Sequence, residues 1–118
     1  MSNISFEQET VKLYGTKILV LRISGSVDSA NFPVFRDKLS ELVECEETHF
    51  VVNLKDLEYL NSTGFGLLAT YFRKLSRDGK VFVLAALSPK VEHIYNLMGF
   101  HHMMISYETE KEALDAVA

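Results

Sequence analysis

The chain has 118 residues, which suits one domain with one core and is too short for two separate cores. Hydrophobic residues make up 47% of it and charged residues 24%, a composition that excludes disordered, fibrous and coiled-coil proteins. Sixteen acidic residues outnumber twelve basic ones, and the basic residues are scattered instead of forming a stripe. We therefore expect no nucleic-acid partner.

The sequence also indicates in which cellular compartment the protein is expected. No apolar run approaches the roughly 20 residues that span a bilayer, and residues 1–10 lack the basic start and apolar stretch of a signal peptide. Cys45 is the only cysteine, so no internal disulfide can form, and its acidic neighbours disfavour a reactive thiolate. We expect a cytoplasmic protein without direct membrane insertion and with an inert Cys45.

The strand predictions come in chain order. Residues 4–9 alternate apolar and polar side chains, as an edge strand with one wet face does, and a turn follows at residues 14–16. Nearly continuous apolar runs at residues 18–23, 50–54 and 81–85 are typical of central strands covered on both faces. The chain should open with a hairpin that leads into a buried sheet.

Helical patterns separate the later strands. The first opens at Asn31 with Pro33 in its first turn, the second ends at Gly79, the third begins with Ser88 as its predicted cap, and the fourth carries a capping box from Thr109. The predicted buried faces are Phe35, Leu39, Leu42 and Val43 in the first helix, Phe65, Leu68, Phe72 and Leu75 in the second, and Val91, Ile94, Tyr95 and Met98 in the third.

The resulting order is β-β-α-β-α-β-α-β-α, with residues 103–107 as the last strand and residues 55–60 as a short connection. Strands that alternate with helices call for a largely parallel sheet, which the opening hairpin makes mixed. We predict a single α/β domain over residues 1–118, with a mixed, mainly parallel central sheet of about five strands and four helices.

Sites for catalysis or metal binding are hard to find. The histidines at positions 49, 93, 101 and 102 show no recognised ligand spacing with Cys or carboxylates, and adjacent histidines usually point apart. The turn after residue 60 lacks the leading glycine of a hydrolase elbow, and neither a phosphate-binding loop nor a dinucleotide fingerprint is present. We expect no catalytic residue, metal or cofactor, and therefore no enzyme.

One turn stands out, the residues Asn61, Ser62, Thr63 and Gly64, which we call the hydroxyl turn. Ordinary helix capping by Asn61 or Ser62 is the simplest account. It leaves Gly64 and Gly66 unexplained, because glycine inside a helix costs roughly 1 kcal/mol against alanine. A phosphoryl group on either hydroxyl would meet the positive end of the helix dipole, and the glycines would let a partner approach.

With these residues in view, the chain resembles the STAS domains, the family of bacterial anti-sigma factor antagonists, over nearly its whole length. The family has a strand, an Asp-Ser-Ser-Gly-Leu-Gly type turn and a helix. The matching segments are residues 51–54 with 61–66, residues 81–99 with their Ser-Pro start and final Gly, and residues 23–28 with Gly25 and Asp28. Asn61 stands where the family usually has aspartate, and Thr63 where serine is commoner.

The resemblance implies a phosphorylation-controlled binding module. The hydroxyl directly before the glycine is the family's phosphorylation site, which corresponds to Thr63, with Ser62 as the alternative. The unphosphorylated form would bind an anti-sigma factor that is also a protein kinase, releasing a sigma factor, and phosphorylation would end the interaction. A phosphatase is a further candidate partner. The expected partner-binding residues are Asp28, Asn61, Ser62, Thr63, Gly64 and Phe65.

Two alternatives remain open on the sequence. The first is a STAS domain that is never phosphorylated and serves as a fixed subunit of a stress-signalling or transport complex. The second is a protein that binds a small anion or nucleotide with Ser62, Thr63 and Asp28, although no general base stands beside them. Neither composition nor spacing decides whether the chain forms a homodimer.

Overall fold

The structure is a computed structural model and describes residues 3–44 and 49–118. The expectation for Cys45 lies outside these ranges. Among the described helices, none combines the length and apolar character needed to cross a membrane. The elements are β1 (Ile4–Leu13), β2 (Thr16–Val27), α1 (Phe32–Val43), β3 (His49–Asn53), β4 (Leu57–Leu60), α2 (Ser62–Arg77), β5 (Phe82–Ala85), α3 (Pro89–Leu97), β6 (Ser106–Tyr107) and α4 (Glu110–Val117).

The six strands form one mixed sheet in the order β1-β2-β3-β5-β6, and β4 pairs with the far end of β2. Among the strands of the described residues, β1 alone runs antiparallel to its neighbour, and the other pairs are parallel. Tyr14 and Gly15 close the opening hairpin with φ values of 52° and 82°, as a two-residue hairpin turn with both φ positive requires. The predicted mixed, mainly parallel α/β sheet is confirmed.

Two apolar layers enclose the sheet. The larger layer joins one face of the strands to α1, α2 and α3 through Phe35, Leu68, Val91 and other buried side chains. The smaller layer lies on the opposite face, where Ala113 and Val117 of α4 meet the β2 and β3 residues. Because both faces are covered, the central strands read as continuous apolar runs, as predicted.

Several local predictions were wrong. Residues 55–60 include β4 and are more than a connection, so the sheet has six strands. Met98, expected in the core, is 53% exposed because α3 ends at Leu97. The expected strand over residues 103–107 is reduced to β6, since the 3-10 turn at Phe100–His102 continues into residues 103 and 104, whose amides donate to the Phe100 carbonyl. Ser88 precedes α3, but its hydroxyl donates to the Leu57 carbonyl at 2.5 Å instead of capping the helix.

Candidate functional site

The hydroxyl turn is the start of α2, directly after β4. Asn61 is the N-cap residue, and its side-chain Oδ1 accepts a hydrogen bond from the Gly64 amide at 2.8 Å, which confirms the predicted capping. Ser62 and Thr63 are the first two helical residues, and both are exposed. The hydroxyls stand at the positive end of the helix dipole, and the first turn of α2 itself holds no acidic residue.

The two glycines of this helix start differ in their surroundings. Gly64 is buried, and a β-carbon there would collide with the Leu60 side chain and lie 3.1 Å from Asn61 Oδ1. Glycine is therefore required at this position for internal packing. At Gly66 a β-carbon would meet nothing within 4 Å. The expectation that both glycines leave room for a partner fits Gly66 only.

Phe65 supports the turn from beneath. Its ring is 0% exposed, so this structure offers no Phe65 surface for the expected partner contact. The ring stacks on Phe100 with centroids 5.0 Å apart and lies 6.0 Å from the ring of Tyr95. Burial raises the pKa of the Tyr95 phenol, which donates to the Met104 carbonyl at 3.1 Å. This aromatic group holds the helix start in place from below.

The loop that carries Asp28 lies beside the hydroxyl turn. The Asn61 amide donates to the Val27 carbonyl at 3.1 Å, which joins the ends of β2 and β4. Asp28 accepts hydrogen bonds from the Ala30 and Asn31 amides at 2.9 and 3.0 Å, and Asn31 Oδ1 accepts from the Asp28 amide at 2.9 Å. The structure thus brings Asp28 and the hydroxyl turn to one edge of the sheet, with the Asp28 carboxylate shaping its own loop.

A cluster of charged side chains lies away from the hydroxyl turn. Arg22 in β2 bonds Glu7 at 2.7 Å, Glu9 at 2.9 Å and Glu110 at 2.8 Å. Its guanidinium holds the pKa of the Glu110 carboxyl below the usual range, while the bond to Glu110 first and that to Glu9 next raise the pKa of Arg22. Asn53 also donates to Glu110, at 3.0 Å. Sequence reasoning missed this cluster, although the hairpin register that pairs Glu7 with Arg22 follows from the turn.

The histidines do not assemble into a ligand set. His49 Nδ1 accepts a hydrogen bond from the Val81 amide at 2.9 Å and so has a role within the sheet. The rings of His101 and His102 lie 3.9 Å apart, so the expectation that they point apart is wrong. Within residues 3–44 and 49–118, no three His, Cys, Asp or Glu side chains are grouped to hold a metal ion.

Comparison with known proteins agrees with this architecture. The chain is 26% identical over 100 residues to an anti-sigma F factor antagonist of Paenibacillus polymyxa, covering 82% of this chain and 84% of the relative. It is 30% identical over 91 residues to an anti-sigma-B factor antagonist of Bacillus subtilis (strain 168), covering 76% of this chain and 83% of the relative.

Solved structures show the same fold. An anti-sigma factor antagonist from Mycobacterium paratuberculosis superposes with a TM-score of 0.80 at 26% identity, covering 96% of this chain and 94% of that one. The anti-sigma factor antagonist SpoIIAA in its unphosphorylated form gives a TM-score of 0.73 at 25% identity, covering 96% of both chains. The family model of the STAS domain matches residues 9–113. The chain belongs to the STAS domain family.

Proposed function

We propose that this chain is an anti-sigma factor antagonist controlled by phosphorylation of Thr63. Unphosphorylated, it binds an anti-sigma factor that has protein kinase activity, and a sigma factor is thereby freed for transcription. Phosphorylation by that same partner ends the interaction, and a phosphatase restores the binding form. The observation that carries the proposal is an exposed hydroxyl pair at the start of α2, in a helix turn without any acidic residue.

The geometry of the helix start supports a modification that leaves the fold intact. The cap of α2 uses Asn61 and the Gly64 amide, so neither hydroxyl is needed for capping. A phosphoryl group on Thr63 would add about 1.5 to 2 negative charges beside helix amides that have no carbonyl partner in their own helix. Such a charge is favourable at this end of a helix. The phosphorylated domain should therefore keep its structure.

The same group would be unfavourable inside a complex. A partner surface that fits neutral hydroxyls would have to strip water from a dianion, and this desolvation costs several kcal/mol without a compensating positive group. Asp28, beside the turn, adds a further negative charge on the same edge of the sheet. Release of the partner then follows from local electrostatics and needs no rearrangement of the domain.

The likeness to named antagonists also supports this proposal. Relatives described as anti-sigma F and anti-sigma-B factor antagonists align over most of their own length. The structural neighbour SpoIIAA was solved in a form described as unphosphorylated. In this chain the proposed phosphorylation site is one of the two exposed hydroxyl residues at the start of α2.

The test is to incubate the protein with ATP and each purified anti-sigma factor kinase of the source organism, followed by mass spectrometry. We expect one phosphoryl group, located on Thr63, with full modification of Ser62→Ala and none of Thr63→Ala. A phosphate on Ser62 alone would move the switch by one residue. If no phosphate is found, and the protein binds its partner equally well before and after incubation with ATP, the result would instead support a STAS domain that acts as a fixed subunit.

A further inference from the structure

An apolar groove lies between β4 and α3, next to the hydroxyl turn. Its volume is about 400 Å³, and we call it the β4–α3 groove. The lining residues are Glu58, Tyr59 and Leu60 from β4 with Lys90, His93 and Ile94 among those from α3. Tyr59 and Leu60 immediately precede Asn61 in the chain, so the groove adjoins the start of the hydroxyl turn.

An irregularity in β4 places Tyr59 in this groove. Leu57 pairs with Gly25 but Tyr59 pairs with the next residue, Ser26, so Glu58 is an extra residue that forms a bulge. In a regular strand Leu57 and Leu60 would point to opposite faces, because side chains alternate. The bulge lets both leucines enter the core, at 0% and 1% exposure, and leaves Tyr59 facing outward.

Tyr59 has the properties of a binding residue. Tyr59 is 49% exposed, and within the described residues its side chain has no hydrogen-bond or ring partner. Nothing in the core requires a tyrosine at this position. Large aromatic side chains that border a pocket are the type that most often dominates the free energy of protein–protein binding.

We propose that the β4–α3 groove receives an apolar side chain of the same anti-sigma factor that binds the hydroxyl turn. This inference rests on the proposed function and adds to it the residue that supplies affinity. Glu58 and Lys90, both exposed, flank the groove with opposite charges, which suits a mixed protein surface better than a lipid surface. In this proposal the groove provides an apolar contact with the partner, and phosphorylation at the adjoining hydroxyl turn ends the binding.

The test measures binding of each purified anti-sigma factor kinase by isothermal titration to the unphosphorylated wild type and to tyrosine variants. We expect Tyr59→Ala to weaken binding at least about tenfold, whereas Tyr59→Phe stays close to wild type because the ring makes the contact. Tyr14→Ala is the matched control, since Tyr14 is 87% exposed at the hairpin tip. Its affinity should change less than about twofold.

A second measurement reports on the groove directly. The chain contains no tryptophan, so Tyr59→Trp and Tyr14→Trp each introduce a single fluorophore. The tryptophan emission is obtained by subtracting the spectrum of the wild-type protein mixed with the same kinase. On addition of the kinase, this emission should shift to shorter wavelength for the tryptophan at position 59 and not for the one at position 14. Equal emission shifts at both positions, or wild-type affinity of Tyr59→Ala, would overturn the groove proposal.

The result also separates this inference from the function on which it rests. If Thr63→Asp loses binding while Tyr59→Ala keeps it, the phosphorylation switch stands and the groove proposal fails. If the wild type binds none of the kinases, the proposed function fails and the groove loses its partner with it. Loss of binding in both variants, with unchanged thermal melting, supports both proposals.

Discussion

The hydroxyl turn and the Arg22 cluster differ in the charge of their side chains and in how many partners those side chains bond. The turn at Asn61 to Gly64 holds exposed neutral hydroxyls, one capping bond and no charged side chain in its helix turn. In the Arg22 cluster, one guanidinium bonds three carboxylates. One of them, the Glu110 carboxylate, has a lowered pKa. The cluster joins β1, β2 and α4, and we assign it to stability.

This difference bears on how sites are recognised. Perturbed pKa values often mark catalytic residues, but ion pairs that hold a structure together perturb them as well. The first turn of α2 holds no acidic side chain, so one added phosphoryl group would be the first negative charge within that turn. A phosphorylation site is therefore better recognised by the exposure of its hydroxyl and its position at a helix start than by a shifted pKa.

The largest expected effect is on binding at the turn. Thr63→Asp should weaken binding of the cognate anti-sigma factor kinase by at least about 100-fold, because a fixed negative charge meets a surface that accepts a neutral hydroxyl. Isothermal titration gives the affinity, with Thr10→Asp as the control for charge at an exposed threonine of β1. Equal losses in both variants would show that net charge alone is responsible.

The next effect concerns stability at the Arg22 cluster. Arg22→Met should lower the free energy of unfolding by about 2 kcal/mol, because the partly buried Glu110 carboxylate then lacks its cation. Urea unfolding measures this change. Arg36→Met is the matched control, since the Arg36 side chain is 51% exposed and, among the described residues, bonds Asp37 alone, so its unfolding free energy should stay within about 0.5 kcal/mol. Partner affinity should be unchanged in both variants.

The two glycines of α2 give a smaller and oppositely signed pair of effects. Gly64→Ala should lower the free energy of unfolding by about 1–2 kcal/mol, because the buried Leu60 must move to admit the methyl group. Gly66→Ala should raise it by up to about 1 kcal/mol, since the site is open and alanine is the better helix former. Thermal melting of the two variants checks the difference. The same sign for both would contradict the packing described here.

The smallest effect is a pH dependence from Glu110. Its pKa is lowered in the folded state by Arg22, so the unfolded chain takes up this proton more readily. The contribution to stability is therefore present above the ordinary pKa near 4.5 and is lost as the pH falls through the folded value. Urea unfolding between about pH 6 and pH 3 should show a smaller loss for Glu110→Gln than for wild type. Parallel curves would contradict the assignment.

The sequence predicted the α/β class and the four helices because the apolar periods are long and clear. It missed β4, since the bulge at Glu58 breaks the alternation that marks a strand and leaves Leu57 and Leu60 three residues apart. It also placed Met98 in the core, because helical spacing continues past the point where α3 ends. Short or irregular elements depend on tertiary packing that local patterns do not encode.

The candidate site was predicted unevenly. Asn61 as the cap and the exposure of Ser62 and Thr63 follow from their place at a helix start, so the residue types sufficed. The burial of Phe65 was not anticipated, because a phenylalanine after an exposed turn gives no sign of which way its ring points. Tyr59 was overlooked, since its outward direction results from the bulge and cannot be read from spacing.

The most direct test of the central claim compares the two states of one preparation. The protein is phosphorylated by its kinase, confirmed as a single phosphate on Thr63 by mass spectrometry, and its affinity for that kinase is measured before and after removal of the phosphate. We predict tight binding without the phosphate, a loss of at least about 100-fold with it, and recovery on its removal. Equal affinity in both states would contradict the account.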